Sequence, residues 1–369
     1  MFNFSLELEL LVEFTFQLQY AQEQVATRTC MTVLNIAMVG SDELAKSIAK
    51  PTDQRDVHTY VHKESGVNGP RILSIIRPAK LPERIRPFFN SLCAARVGII
   101  EITAIDGSFG EVLVGFASAG IENGLYVINP TEGEWIDHEQ VKAFMSQAGL
   151  SSWKQCNNDG IELRSALYEL MEAISSNLET AKKEPLIVPI DQHFNVKGIG
   201  LVAIGYVQSG TLSVHDEVHL LPAEGPGTVK SLQVMDDDVP VAVAGDRVGI
   251  ALRNTKEDHL SGGTIILHPS VEDKSKGISI PLAIQKHSKS MVKLNQSPFQ
   301  KRELSIGDVV HASIDLQFVV GRVEGVDEGY IVEWESPLFI RRENSPMILL
   351  AQLDSKPRIM GSAQLIRLE

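Results

Sequence analysis

Apolar residues fall in two rhythms along this chain, and the change comes near residue 182. Before it, compact apolar runs alternate with stretches of helical period. VLNIAMV at 33–39, VGIIEIT at 97–103 and GLYVI at 124–128 read as buried strands. Helical spacing covers 42–49, 82–95, 109–119, 137–148 and 160–178. Strands alternating with helices predict an α/β layer with a parallel sheet, because a parallel crossover needs a connecting element to pack back on the sheet. After Lys182-Lys183-Glu184-Pro185 the runs shorten. Segments 186–190, 199–206, 217–221, 228–235 and 247–252 are β-rich and punctuated by glycine. Many short strands at close spacing predict a closed antiparallel barrel. The same texture continues from 277 to 369 after a softer break at 269–276, which predicts a second barrel. The expected division is an extension at 1–30, an α/β domain at 31–182, and barrels at 183–272 and 273–369.

The first 30 residues fit none of these patterns. Phe2 to Phe16 alternate loosely, Glu7, Glu9 and Glu13 interrupt them, and no basic residue precedes Arg28. A secretory leader needs a positive start and an uninterrupted apolar centre, so none is expected here. An extension outside the native domains, translated from an upstream start codon, is the expectation.

Composition narrows the function classes. Hydrophobic residues make up 43% and charged residues 22%, as in a soluble globular protein. A net charge of −13 argues against indiscriminate polyanion binding, and no DNA partner is expected. It leaves room for a local basic surface. Cys30, Cys93 and Cys156 are widely spaced and odd in number, so neither a disulfide framework nor a zinc site is expected and a reducing cytoplasm fits. Nothing approaches an 18-residue uncharged apolar run, so no membrane span is expected. His215 and His219 are expected on one strand face without a third ligand.

One local motif carries chemistry. The first strand runs into Gly40-Ser-Asp-Glu-Leu-Ala-Lys-Ser47, the frame of a phosphate loop with Ala45 at its second glycine. In such a loop backbone N–H groups cradle phosphates, Lys46 would meet the β/γ oxygens and Ser47 would hold Mg²⁺. A Cβ at position 45 crowds a place built for glycine, and Asp42 and Glu43 stand beside the would-be anion.

Longer motifs stand in the second half: VPIDQHFNVKGIG at 188–200, IGYVQSGTLSVHDEV at 204–218, TVKSLQV at 228–234 and AGDRVGIALR at 244–253. In order and spacing they resemble the second domain of translational GTPases of the elongation factor Tu/SelB (selenocysteine-specific) class. ISIPL at 278–282, GDVVH at 307–311, LQFVVGRVE at 316–324 and PRIMGS at 357–362 resemble the third domain. The resemblance implies an α/β P-loop GTPase-like domain followed by two antiparallel β-barrels. It also implies a shortened form lacking the C-terminal region that reads the recoding element in messenger RNA.

Against that family pattern the first domain departs at each nucleotide-reading motif. RDVHTY at 55–60 stands at switch I, with His58 where the Mg²⁺-sensing Thr belongs. RPAKL at 77–81 stands where D-x-P-G-H is expected, and AIDG at 104–107 is family-like. The guanine-reading N-K-x-D becomes Asn129-Pro-Thr-Glu132. Phosphoryl transfer rests on positioning and charge neutralisation, so losing several such groups leaves little hydrolysis. The expected nucleotide residues, vestigial, are Gly40, Lys46, Ser47, Asn129 and Glu132. No catalytic residue is assigned, and GTP and Mg²⁺ are expected to bind weakly if at all.

By motif position Asp191, Phe194, Asp246 and Arg247 fall in the family's aminoacyl-tRNA pocket. Asp191 or Asp246 would contact the α-amino group or terminal ribose, and Arg247 would tune side-chain choice. Gln192 stands where SelB has a second pocket arginine, which weakens selenocysteine as the substrate. A barrel-core Phe194 and a turn-forming Asp191 remain open. Arg341, Arg342, Lys356 and Arg358 could form a basic patch, but scattered surface charge is the slightly preferred expectation. The expected function is a SelB-like translation factor paralogue, a degenerate GTPase that binds a specific aminoacyl-tRNA as a cytoplasmic monomer and meets the ribosome. An active divergent GTPase and a protein-interaction module without a tRNA role remain as alternatives.

Overall fold

The computed structural model describes residues 31–67, 69–273, 275 and 278–366. The expectation for residues 1–30 lies outside the described residues.

The first layer is a seven-stranded sheet in the order β2-β3-β4-β1-β5-β6-β7. Its strands are β1 (Thr32–Val39), β2 (Lys50–Gln54), β3 (Val57–Gly66), β4 (Gly69–Pro78), β5 (Val97–Ile102), β6 (Gly124–Ile128) and β7 (Lys154–Cys156). Pairings β1/β4, β1/β5, β5/β6 and β6/β7 are parallel, as expected for strands buried on both faces. One edge differs from the expectation. β2, β3 and β4 pair antiparallel, with Gly66 opposite Gly69 at the hairpin end. No element was expected over this ribbon; its outer strand β2 is largely exposed and lacks an apolar run, although β4 carries the buried run Ile72-Leu-Ser-Ile-Ile76.

Helices α1 (Asp42–Ile48), α2 (Arg86–Ala94), α3 (Gly107–Ser118), α4 (His138–Gln147), α5 (Gly160–Ala173) and α6 (Ser175–Ala181) cover both faces. α1 and α5 bury Leu44, Ala45, Leu163 and Leu167 on one side, beside Tyr60. Phe88, Phe89, Leu113, Phe116 and Val141 fill the other. The long helix expected at 160–178 is two helices, breaking at Ile174.

The first barrel contains β8 (Val188–Val196), β9 (Gly200–Tyr206), β10 (Thr211–Ser213), β11 (Glu217–Leu221), β12 (Gly225–Val234), β13 (Asp237–Val239), β14 (Val241–Val243), β15 (Arg247–Arg253) and β16 (Ile265–Leu267). Order β11-β16-β8-β9-β15-β12 closes through the β11/β12 pairing. A hairpin of β17 (Val271–Asp273) and β18 (Ile278–Ile280) follows. The second barrel closes as β19 (Ile284–Gln296), β22 (Tyr330–Arg341), β21 (Gln317–Val326), β20 (Val309–Ile314), β23 (Ile348–Ala351) and β24 (Ile359–Ile366). Both are antiparallel, so no edge is left within either closed ring.

The three units share their cores. Val33 and Ile72 of the sheet pack into the first barrel. Leu349, Ala351 and Ile359 of the second barrel pack under α2 and α3. Polar ties cross the same seams. Asn35 Nδ2 donates to Gly245 O at 2.9 Å, and Arg96 donates to Gln208 O at 2.7 Å. Arg358 meets Glu111 of α3 through both side-chain and backbone nitrogens.

One expectation changes here, and one alternative is set aside. His215 is in the turn before β11, with φ of 78°, while His219 is on the strand, so they do not share a strand face. The basic residues near the C-terminal end do not form one patch. Arg341 is buried against Asp315 and Arg358 against Glu111, because each is used to join packed elements.

Candidate functional site

The turn from β1 into α1 holds the expected phosphate-loop residues. Ser41 caps the helix, its Oγ accepting from Leu44 N at 3.1 Å. The helix therefore begins at Asp42, directly after Gly40-Ser41. A phosphate cradle needs a run of free N–H groups between strand and helix. Here 42–48 are helical, Ala45 N already bonds Ser41 O at 3.3 Å, and Ala45 is fully buried.

The side chains follow the helix too. Lys46 Nζ pairs with Asp42 at 2.5 Å, and Ser47 Oγ donates to Leu44 O at 2.8 Å. Asp42 also accepts from the Tyr60 hydroxyl. Lys46 and then Tyr60 hold the Asp42 carboxyl below the usual range. Burial, reinforced by Asp42, pushes Tyr60 up to about 12. Arg77, at the position expected for the Mg²⁺-side acid, donates from Nε to Gly40 O at 2.7 Å.

Sequence reasoning missed the residue that organises this turn. Glu101 on β5 is 7% exposed. Its Oε2 accepts from Ser41 N at 2.5 Å and its Oε1 from Asn129 Nδ2 at 2.7 Å. A Cβ added to Gly40 would lie 2.8 Å from Glu101 Cβ, so glycine permits the approach. The signal available was a lone acid inside the apolar run VGIIEIT. The structure thus joins Gly40 and Asn129 through Glu101. It turns Lys46 and Ser47 onto their own helix, and it leaves Glu132 exposed in a separate turn. A phosphate brought to the Ser41 amide would meet a carboxylate already bonded there, so these residues do not fit a Mg²⁺-nucleotide.

A second cluster lies where the first barrel meets the sheet. Asp191 sits at the β8 bulge between Ile190 and Gln192. Gln192 Nε2 donates to Asp191 Oδ2 at 3.1 Å and to Asp53 Oδ2 of β2 at 3.2 Å. Arg55 grips Asp53 from Nε at 3.1 Å. Arg247 on β15 is half-buried near Tyr206, Asp191 and Asp53. Burial pushes Asp191 up, with Arg247 opposing it. Burial works against the charge on Arg247, but Tyr206 and the two carboxylates outweigh it and raise its pKa. Two polar atoms here are buried without a partner, Arg247 Nε and Gln192 Oε1.

The other expected pocket residues lie apart. Phe194 is further along β8 and 36% exposed, so it is not barrel core. Asp246 is buried and its Oδ2 accepts from Val243 N at 2.7 Å, closing its own turn. Asp53 was not foreseen, since its strand carries no apolar pattern.

Beside this cluster a cleft of about 540 Å³ opens where sheet, first barrel and second barrel meet. Arg55, Arg84, Arg86, Asn90, Asp191 and Gln192 line it. Arg84 holds Asp56 at 2.6 and 3.0 Å. Asn90 Oδ1 is buried without a partner. Among the described residues no group of three His, Cys, Asp or Glu side chains is placed to hold a metal ion. No described helix is long and apolar enough to cross a membrane.

Comparison with known proteins matches the fold. Residues 200–267 match the family described as Elongation factor Tu domain 2. The chain is 28% identical over 302 residues to an uncharacterised protein of Methanocaldococcus jannaschii, covering 82% of this chain and 89% of that one. It is 30% identical over 172 residues to the selenocysteine-specific elongation factor of the same organism, covering 47% of this chain and 36% of that factor. The crystal structure of a bacterial selenocysteine-specific elongation factor superposes with a TM-score of 0.71 at 20% identity, over 92% of this chain and 58% of that one. The chain therefore spans little more than a third of the first of these factors in sequence and under two thirds of the second in structure.

Proposed function

Because this chain belongs to the elongation factor Tu/SelB-like family of translational GTPases, we propose that it is a translation factor paralogue with a closed nucleotide site, whose first barrel binds the acylated end of a specific tRNA. We take its working units to be the α/β domain at 31–182 and the barrels at 183–272 and 273–369.

One observation carries the closed-site part. Glu101 bonds the Ser41 amide and the Asn129 carboxamide, the two places where a bound nucleotide would present phosphate and base. A buried carboxylate in that position repels phosphate and is itself well satisfied, so displacing it costs both terms. Lys46 and Ser47 cannot compensate while they bond Asp42 and Leu44. Gly40, Lys46, Ser47, Asn129 and Glu132 are then remnants that hold the turn and its neighbours.

The RNA part rests on the pocket and the cleft. Asp191 and Arg247 lie near one another at the seam of sheet and barrel, each largely shielded, where polar groups left without partners are costly. The adjoining cleft carries Arg86 beside Arg55 and Arg84, which are paired with Asp53 and Asp56, so a phosphate entering it would compete with those carboxylates for the guanidiniums. Phe194 offers an exposed aromatic face for stacking. In this reading the factor is a monomer in the cytoplasm and delivers or screens its tRNA at the ribosome without a nucleotide switch.

Isothermal titration with GTP, with and without Mg²⁺, tests the first part. No heat of binding is expected at tens of micromolar protein. Submicromolar, Mg²⁺-dependent binding would overturn the closed site and leave an active divergent GTPase in its place.

A further inference from the structure

Arg77 is half-buried near the C-terminal end of β4, and its guanidinium reaches more than one element at once. Nε donates to Gly40 O at 2.7 Å, in the turn between β1 and α1. Nη1 lies 3.4 Å from His58 Nδ1 of β3, directly opposite in the strand register. The side chain also meets the Tyr60 hydroxyl, next on the same face of β3. Lys46 and then Tyr60 favour the ionised form of Asp42 on α1, and the Arg77 charge adds to them.

β3 carries the contact onward. Thr59 Oγ1 lies 2.8 Å from Thr52 Oγ1 and accepts from Asp53 N at 3.3 Å, which ties β2 to β3. Lys63 of β3 is bonded to Asp237 of the first barrel, and Asp53 of β2 to Gln192.

We propose that Arg77 is a resident cation, supplied by the chain itself, that keeps the β2–β3 ribbon folded against the β1–α1 turn without a metal ion or a nucleotide. The proposal rests on the closed-site reading and deepens it: Glu101 excludes the phosphate, and Arg77 takes over the ordering that a bound metal nucleotide would supply.

By motif position residues 55–60 fall at the family's first switch. Switching GTPases order that segment through the γ-phosphate and its Mg²⁺. What the metal brings is a positive charge shared by groups on separate elements. A guanidinium can be shared in the same way, because its N–H donors spread in a fixed plane. It is also tethered, so its occupancy depends on no concentration. The same placement excludes the ion. Gly40 O is already engaged, and a divalent cation approaching Asp42 would be repelled by Arg77 and by the Lys46 ammonium paired there. An arginine serving a single element would bond one carbonyl or one carboxylate. Arg77 bonds the turn on one side and faces β3 on the other.

Hydrogen–deuterium exchange of the full chain, followed by mass spectrometry, reads the ribbon directly. Peptides over 50–61 report β2 and the start of β3, and peptides over 309–326 of the second barrel report global opening. Arg77→Ala should speed exchange over 50–61 by about tenfold or more, the loss of one charge-assisted hydrogen bond, and leave 309–326 unchanged. Free guanidinium at low millimolar concentration should slow it again by refilling the place of the side chain. Sodium chloride at the same ionic strength should not, and equal rescue by both salts would overturn the stand-in role. Arg77→Lys keeps the charge without the planar fork, so it too should speed exchange over 50–61, and it decides the matter if Arg77→Ala opens globally. Wild-type exchange over 50–61 in either folded variant would overturn the proposal. So would a wild type whose ribbon becomes protected only when Mg²⁺ or GTP is added. The closed site fails separately: tight GTP binding by the wild type removes it whatever the variants do, whereas unchanged exchange in a wild type that ignores GTP removes Arg77 alone.

Discussion

The Glu101 carboxylate accepts a hydrogen bond from the backbone amide of Ser41, 60 residues earlier, at 2.5 Å. The contact joins the buried strand β5 to the first residue of the turn that would otherwise face a phosphate. Glu101→Ala would leave the Ser41 amide and the Asn129 carboxamide without their acceptor. A loss of about 1–3 kcal/mol is expected, the cost of buried polar groups left unsatisfied. Urea denaturation measures it, and a change within about 0.5 kcal/mol, the usual size for a surface substitution, would show that the contact is incidental.

The seams between the three units are built from shared apolar cores and backbone-directed hydrogen bonds. Family members that switch use the γ-phosphate to order loops and reorient domains. With the turn closed by Glu101, this chain is expected to hold one arrangement. Small-angle scattering profiles with GTP analogue, with GDP and without nucleotide should superimpose. A reproducible nucleotide-dependent change in radius of gyration would contradict this.

Arg358 and Glu111 fasten the second barrel to α3, with side chains only 12% and 11% exposed. Arg358→Ala strands a buried carboxylate and should cost about 3–5 kcal/mol. Arg358→Met combined with Glu111→Leu should recover most of that loss, because a buried pair replaced by apolar groups is often close to neutral. If the double variant were no more stable than the single one, the pair would be contributing more than charge compensation.

Arg247→Ala should weaken acylated tRNA more than deacylated tRNA, since Arg247 lies at the pocket and not in the arginine-lined cleft. Both affinities should fall as salt rises, through whatever phosphates the complex engages. Equal weakening of the two forms at two salt concentrations would place Arg247 on the phosphate backbone instead.

Asp191 supplies a pH test. Its folded pKa is raised, chiefly by burial, above the ordinary aspartate value. The folded state therefore binds the proton at a higher pH than the unfolded state does. Between the raised value and the ordinary one, stability should rise as pH falls. Asp42, Asp53 and Asp56 are shifted the other way, so their losses come at lower pH, below the ordinary value. Subtracting the profile of Asp191→Asn isolates the Asp191 increment. A flat difference across mildly acidic pH would mean the site is wetter than its packing indicates.

Much of this protein is written locally. The buried runs 33–39, 97–103 and 124–128 give the parallel core of the sheet, because a strand covered on both faces must be apolar throughout. The two barrels follow from short strands and glycine-punctuated turns, and the 188–253 motifs place Asp191 and Arg247 on strands that enter the same barrel. Those features depend on residues within a few positions of one another, so pattern and spacing determine them. The sequence could not decide what those residues meet. Gly40-Ser-Asp-Glu-Leu-Ala-Lys-Ser47 has the frame of a phosphate loop, and only the fold shows the helix starting at Asp42 with Glu101 against Ser41. Likewise only the fold brings Asp53, on an exposed edge strand, beside Gln192 and Asp191. Each is a side-chain meeting across 60 or more residues, set by which strand ends become neighbours when the sheet and barrel pack. Local periodicity carries no record of such neighbours, because it reports which face of an element is buried and not what is buried against it.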